Sequence, residues 1–170
     1  MVSTVGDERV SAPAVGARRL TPVALLAAWG PVVAWVSVIF SLSSEQFSDV
    51  NTATWLSALP LVGALGLTPA TIEAGNFIVR KSAHFVEYAL LGMLTLRALR
   101  ATWRQRGSQL LAAAVAIAAV CAGLDELRQH FLTVSRSGTA KDVGLDIVGA
   151  LTGAIVGATY LYGRIRRDQA

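Results

Sequence analysis

The sequence predicts an all-α integral membrane protein, a four-helix bundle with an interfacial segment between its first and second helices. Three observations lead there. Hydrophobic residues make up 54% of the chain and charged residues only 15%, whereas soluble domains average about 25% charged residues. The mean hydropathy is +0.53, and apolar runs long enough to cross about 30 Å of hydrocarbon recur along the chain. The basic residues behind the net charge of +4 gather at the ends of those runs. No basic stripe with interleaved aromatics is present, so nucleic acid is not an expected partner and the lipid bilayer is.

The 170 residues amount to one domain. Residues 1–19 are polar, with Asp7, Glu8, Arg9, Arg18 and Arg19 and no apolar periodicity, and read as a disordered tail. The transmembrane domain is expected over residues 20–163, followed by a basic tail over 164–170. Its first span, residues 21–42, lies in a stretch without any charge and contains Pro31, which membrane helices tolerate. Residues 52–72 are apolar but broken by Pro60 and Pro69. The second span is expected at 82–99, the third at 109–127 and the fourth at 143–162. Cys121 stands alone, which excludes an internal disulfide and a cysteine-rich zinc site.

Charge sets the expected topology. With four spans and the N-terminus inside, the cytoplasmic side receives Arg9, Arg18 and Arg19, then Arg97, Arg100, Arg104 and Arg106, then Arg164, Arg166 and Arg167. A crossing by residues 52–72 would move the second group outside, against the positive-inside rule. That segment is therefore expected in the outer interface, anchored by Trp55. Both termini are expected in the cytoplasm.

In this topology the polar residues meet near the extracytoplasmic surface. At about 100° per residue, Lys81, His84, Glu87 and Tyr88 share one arc of the second span. Asp125, Glu126 and Gln129 share an arc of the third, and Asp142 and Asp146 open the fourth on a narrow stripe with Gly149 and Gly153. Polar groups in a span face the bundle interior or a wet cavity, so three converging stripes point to a site. Singly, each has an ordinary explanation: Arg80 and Lys81 can snorkel to headgroups, Asp142 suits a helix start, and Arg128 and His130 suit an interface. Gly149, Gly153 and Gly157 form a small-residue ridge for helix packing, which would also allow self-association into a homo-oligomer.

Three blocks, "SLSSEQ", "KSAHFVEYALLG" and "DELRQHFLTVSRSGTAKDVGLDIVGALTG", together resemble the VanZ-like family of small bacterial membrane proteins over residues 41–157. The motif positions are Lys81, His84, Glu87, Tyr88, Asp125, Glu126, Gln129, Arg136, Asp142 and Gly149. The chain departs from the pattern at Asp146, where the family usually has asparagine. An added carboxylate beside Asp142 calls for a nearby cation or a retained proton. The resemblance implies a cell-envelope protein, named for resistance to the glycopeptide teicoplanin, with no settled chemistry.

Two functional classes stand out. In the first, the outer site binds a lipid-linked cell-wall precursor or another anionic ligand and so lowers glycopeptide action, with Lys81, His84 and Arg136 as donors. In the second, a membrane enzyme acts on such a precursor through His84, Glu87, Asp125 and Asp142, with or without a divalent metal. The sequence leaves catalytic residues, cofactors and metal open. A carrier is disfavoured by the short chain and the lack of an evident internal repeat.

Overall fold

Threonine-proline pairs start two of the long helices. Thr21 and Thr68 adopt extended backbone, and their Oγ1 atoms accept from the N–H groups of Ala24 at 3.2 Å and Thr71 at 3.3 Å. Each is followed by a proline at the first helical position, where its missing N–H costs nothing. A computed structural model of the chain describes residues 20–44, 48–103, 107–132 and 140–167. The described residues form six helices and no strand: α1 (Pro22–Leu42), α2 (Asp49–Ser57), α3 (Pro60–Ala64), α4 (Pro69–Thr102), α5 (Gly107–Leu132) and α6 (Ala140–Arg167). The polar stretch over residues 1–19 and the motif residue Arg136 lie outside the described residues.

Two boundaries differ from the sequence reading. Pro60 and Pro69, read there as interruptions, instead open α3 and α4, with Gly66 between them at φ +59°, a conformation that suits glycine. Helix α4 consequently starts well before residue 82 and runs for 34 residues. Helix α6 likewise continues through Arg167 into the stretch read as a tail.

Helices α1, α5 and α6 are each long and apolar enough to cross a membrane. Their faces explain how. Val23, Leu26, Val33, Val120, Leu124, Val148 and Val156 are exposed, while Ala28, Val32, Ile39, Ala114, Ala118, Ala122, Ala150 and Ala154 form the interior. Helices α1, α5 and α6 turn mainly small residues inward and large apolar ones outward, while α4 supplies the large core residues Tyr88, Leu91, Leu96 and Leu99. The pattern on those three helices is the inverse of a water-soluble bundle and suits a lipid surround, where close packing drives association.

Helix α4 is central and packs against α1, α2, α5 and α6. It runs antiparallel to α1: the Trp35 indole donates to the Glu87 carbonyl at 2.8 Å, and at the other end Arg97 donates to the carbonyls of Ala27 at 3.0 Å and Ala28 at 3.4 Å. The second contact has a local cause. Pro31 lacks the N–H that would bond the carbonyl four residues earlier, which is that of Ala27. Arg97 supplies the missing donor from the neighbouring helix.

Against α6, α4 runs parallel and very close. A Cβ on Gly149 would meet the Phe85 carbonyl oxygen at 2.5 Å; one on Gly157 would meet Met93 Cγ at 2.9 Å. Gly153 lies against the Ala89 carbonyl, and Gly92 of α4 lies against the Ala150 carbonyl. The glycine ridge is thus filled within the chain by α4, so self-association through it, an option left open by the sequence, has no free surface. With α5 antiparallel to both, the start of α1, the end of α4 and the end of α6 share one end of the bundle.

Candidate functional site

The other end of the bundle collects the charged side chains. The parallel α4–α6 pair continues the glycine contacts upward as two ionic rungs. Lys81 Nζ donates to Asp142 Oδ1, and one turn deeper His84 Nδ1 lies 3.4 Å from Asp146 Oδ1. The steps of three residues on α4 and four on α6 keep both rungs on facing stripes. Lys81 also sits over the Phe77 ring, 5.6 Å from its centroid, an added attraction for the ammonium. The departure at Asp146 is matched here: Asp142 faces Lys81, and Asp146 faces His84.

Helix α5 supplies a second acidic centre. Asp125 is buried, with Gln129 Nε2 donating to its Oδ2 at 2.8 Å and Arg128 Nη2 placed 3.4 Å from its Oδ1. The spacings i+3 and i+4 put both partners one turn further along the same face. Arg128 Nη2 also donates to the Phe40 carbonyl of α1 at 2.6 Å, and its guanidinium lies over the Phe40 ring, 5.3 Å from the centroid. Arg128 therefore ties the ends of α5 and α1 together.

Glu126, Glu87 and Tyr88 complete the cluster. All three are buried, Tyr88 completely. Glu126 stands within electrostatic reach of Asp125, Asp142, Asp146 and His84, and Tyr88 within reach of Asp125, Asp146 and Glu87. The structure thus brings together Lys81, His84, Glu87, Tyr88, Asp125, Glu126, Gln129, Asp142 and Asp146. Gly149 sits directly below them as a packing contact.

Four residues that are bonded or buried in the structure stand outside the set predicted from the sequence. Trp35 was read only as part of an apolar span, because nothing local announces that its indole reaches the Glu87 carbonyl. Arg128 was read as interfacial; its signal lay in its i+3 relation to Asp125. Asn76 is buried on α4 and Ser43 just beyond α1, and a lone polar residue of either kind carries little signal in a sequence. Among the described residues, no three or more His, Cys, Asp or Glu side chains are grouped to hold a metal ion. The mixed-ligand metal site considered from the sequence has no such geometry.

Apolar outward faces on three helices long enough to cross a membrane, with an ionic cluster at one end, define an α-helical membrane protein. Its family is also clear. The sequence profile described as VanZ/LLP1 matches residues 28–161, and the chain belongs to that family. No curated protein and no solved structure matches the chain.

Proposed function

We propose that the protein is a cell-envelope member of its family whose polar cluster is a ligand-binding site at the extracytoplasmic face, and that occupancy of this site lowers glycopeptide action. One observation carries the reading: charged and polar residues from α4, α5 and α6 are buried together at a single end of a lipid-solvated bundle. Burying ionisable groups is costly in a membrane, and a purely structural scaffold does not require so many.

Orientation follows from charge. Arg97 and Arg100 lie at the end of α4 opposite the cluster, and Arg164, Arg166 and Arg167 lie in the last turns of α6 at the same end. The positive-inside rule puts that end, and both termini, in the cytoplasm. Helix α4 also spans the membrane in this reading, as the second span in chain order, since it lies antiparallel to α1 and α5 over their length. Helices α2 and α3 then rest in the outer interface, with Trp55 exposed to the headgroups. A cysteine introduced at Ser57 in a Cys121→Ala background should react with an impermeant thiol reagent added outside intact cells. Labelling only after lysis would overturn the orientation.

The functional test is teicoplanin susceptibility of a sensitive host expressing the chain, beside Glu87→Gln and Asp125→Asn at matched membrane levels. Protection by the parent chain and its loss in both variants is expected. Equal protection by all three would make those acids structural. A second reading, a membrane enzyme acting on a lipid-linked envelope precursor, draws on the His84–Asp146 contact, because a carboxylate that orients an imidazole is a common arrangement for a general base. It predicts near-complete loss on His84→Asn, where binding alone predicts a graded one.

A further inference from the structure

The cluster contains polar atoms with no hydrogen-bond partner, and their identities define what would complete them. Tyr88 Oη, Glu126 Oε2 and Asp146 Oδ2 are all buried without a hydrogen bond. They come from α4, α5 and α6 respectively, and Asp146 is within electrostatic reach of both of the others. Buried polar atoms are rarely left in this condition, because each forfeits hydration without replacement. Two of the three are carboxylate oxygens, which only accept, and a tyrosine hydroxyl can accept as well.

Charge points the same way. Asp142 faces Lys81, Asp146 faces His84, and Asp125 is held by Arg128 and Gln129. No basic side chain is paired with Glu126 among the described residues. Arg128 Nε is a buried donor without a hydrogen bond, but its guanidinium already stands beside Asp125. Among the described residues the carboxylates of Glu87, Asp125, Glu126, Asp142 and Asp146 outnumber the bases, which disfavours an anion at the centre. A bare metal ion is also a poor fit, since no three metal-binding side chains are grouped there. An ammonium group is the complementary chemistry: one positive charge and three N–H donors on a single atom.

Exposure indicates how such a group would enter. The side chains of Lys81 and Asp142 are 34% and 21% exposed, that of His84 is 13% exposed, and that of Asp146 is 1% exposed. Accessibility thus falls steadily from the first ionic rung inward, so the Lys81–Asp142 pair stands at the mouth and the unpartnered oxygens at the floor.

Building on the reading of this end as a binding site, we propose that it takes a primary ammonium group, with Glu126, Asp146 and Tyr88 as its acceptors. The group could be carried by a free alkylamine or by an amine-bearing lipid headgroup; the recognition chemistry is the same, and the test separates the sources.

The full-length protein in detergent micelles would be titrated with ethylammonium chloride, following its thermal unfolding midpoint. Tetramethylammonium chloride, which has the charge but no N–H donor, and sodium chloride would be titrated at equal ionic strength. Ethylammonium alone should raise the midpoint, and Glu126→Gln should weaken its apparent affinity by about tenfold, as expected for loss of a charge-assisted hydrogen bond. Tyr88→Phe keeps the volume and should weaken it less. Equal responses to all three salts, or an ethylammonium response unchanged in both variants, would overturn the proposal.

For the lipid source, the protein would be reconstituted with phosphatidylethanolamine or with its trimethylated counterpart, phosphatidylcholine. If the headgroup is the ligand, only phosphatidylethanolamine should compete with ethylammonium. If neither lipid competes while ethylammonium still binds, the ligand is a free amine. Loss of ethylammonium binding with glycopeptide protection intact in the parent and lost in Glu87→Gln would sink only this inference and leave the proposed function standing.

Discussion

Alanine at Gly153 tests whether glycine contacts hold α4 and α6 in register. The residue lies against the backbone carbonyl of Ala89, and an added Cβ would fall within the contact radius of that oxygen. A backbone carbonyl cannot rotate away as a side chain can, so the helices must part or slide. Overpacking of this kind costs about 1–3 kcal/mol. Gly144, on the same helix, has nothing within 4 Å of its virtual Cβ. Gly144→Ala should therefore be neutral or stabilising by up to about 1 kcal/mol through helix propensity. The helix-propensity gain is common to both variants, so they should differ by the overpacking cost of about 1–3 kcal/mol in thermal or denaturant unfolding in micelles, with Gly153→Ala the weaker. Gly149→Ala should behave like Gly153→Ala, because its Cβ would stand 2.5 Å from the Phe85 carbonyl oxygen. If both ridge variants unfold no earlier than Gly144→Ala, the close parallel packing of α4 and α6 is wrong, and so is the register of the ionic rungs above it.

Three other outcomes follow from single contacts. Arg97→Met should destabilise the chain by about 1 kcal/mol, because the Ala27 carbonyl loses its donor; the loss should shrink in a Pro31→Ala background, where residue 31 can donate within the helix, and a double-mutant unfolding cycle without that coupling would refute the pairing. Trp35→Phe should cost about 0.5–1.5 kcal/mol by removing the bond to the Glu87 carbonyl, with a matching change in indole fluorescence. Exchanging Lys81 and Asp142 should recover much of the loss seen in Lys81→Met or Asp142→Asn alone; each single loss should be about 0.5–1 kcal/mol, since both side chains are partly solvated. Recovery absent from the exchanged variant would show that the pair contributes through its surroundings.

How much could be read in advance varied along the chain. Helices α1, α5 and α6 were legible because uncharged runs of sufficient length have few alternatives in a membrane protein. The start of α4 was not, because Pro69 in an apolar run reads equally as a break or as a helix start, and the Thr68 cap makes it a start. The converging polar stripes were legible from helical periodicity, since Lys81, His84 and Tyr88, or Asp125 and Gln129, recur at one-turn spacing. Trp35 and Arg97 were not, because each acts on a main-chain carbonyl of another helix, and a carbonyl leaves no mark in a residue pattern.

The sequence by itself determined that this chain is solvated by lipid, that it belongs to a helical class, and at what height along each helix its charged groups sit. Those properties depend on one-dimensional quantities: hydropathy, charge position and a period of 3.6 residues. Only the tertiary structure decided which acid meets which base. Lys81 faces Asp142 and His84 faces Asp146 because Gly92, Gly149 and Gly153 let two backbones approach until only one parallel register fits. The same packing filled the glycine ridge inside the chain and left Tyr88, Glu126 and Asp146 with polar atoms facing no partner. Rotation and register between helices are set by short-range repulsion among backbone atoms, and that repulsion exists only once the helices are packed.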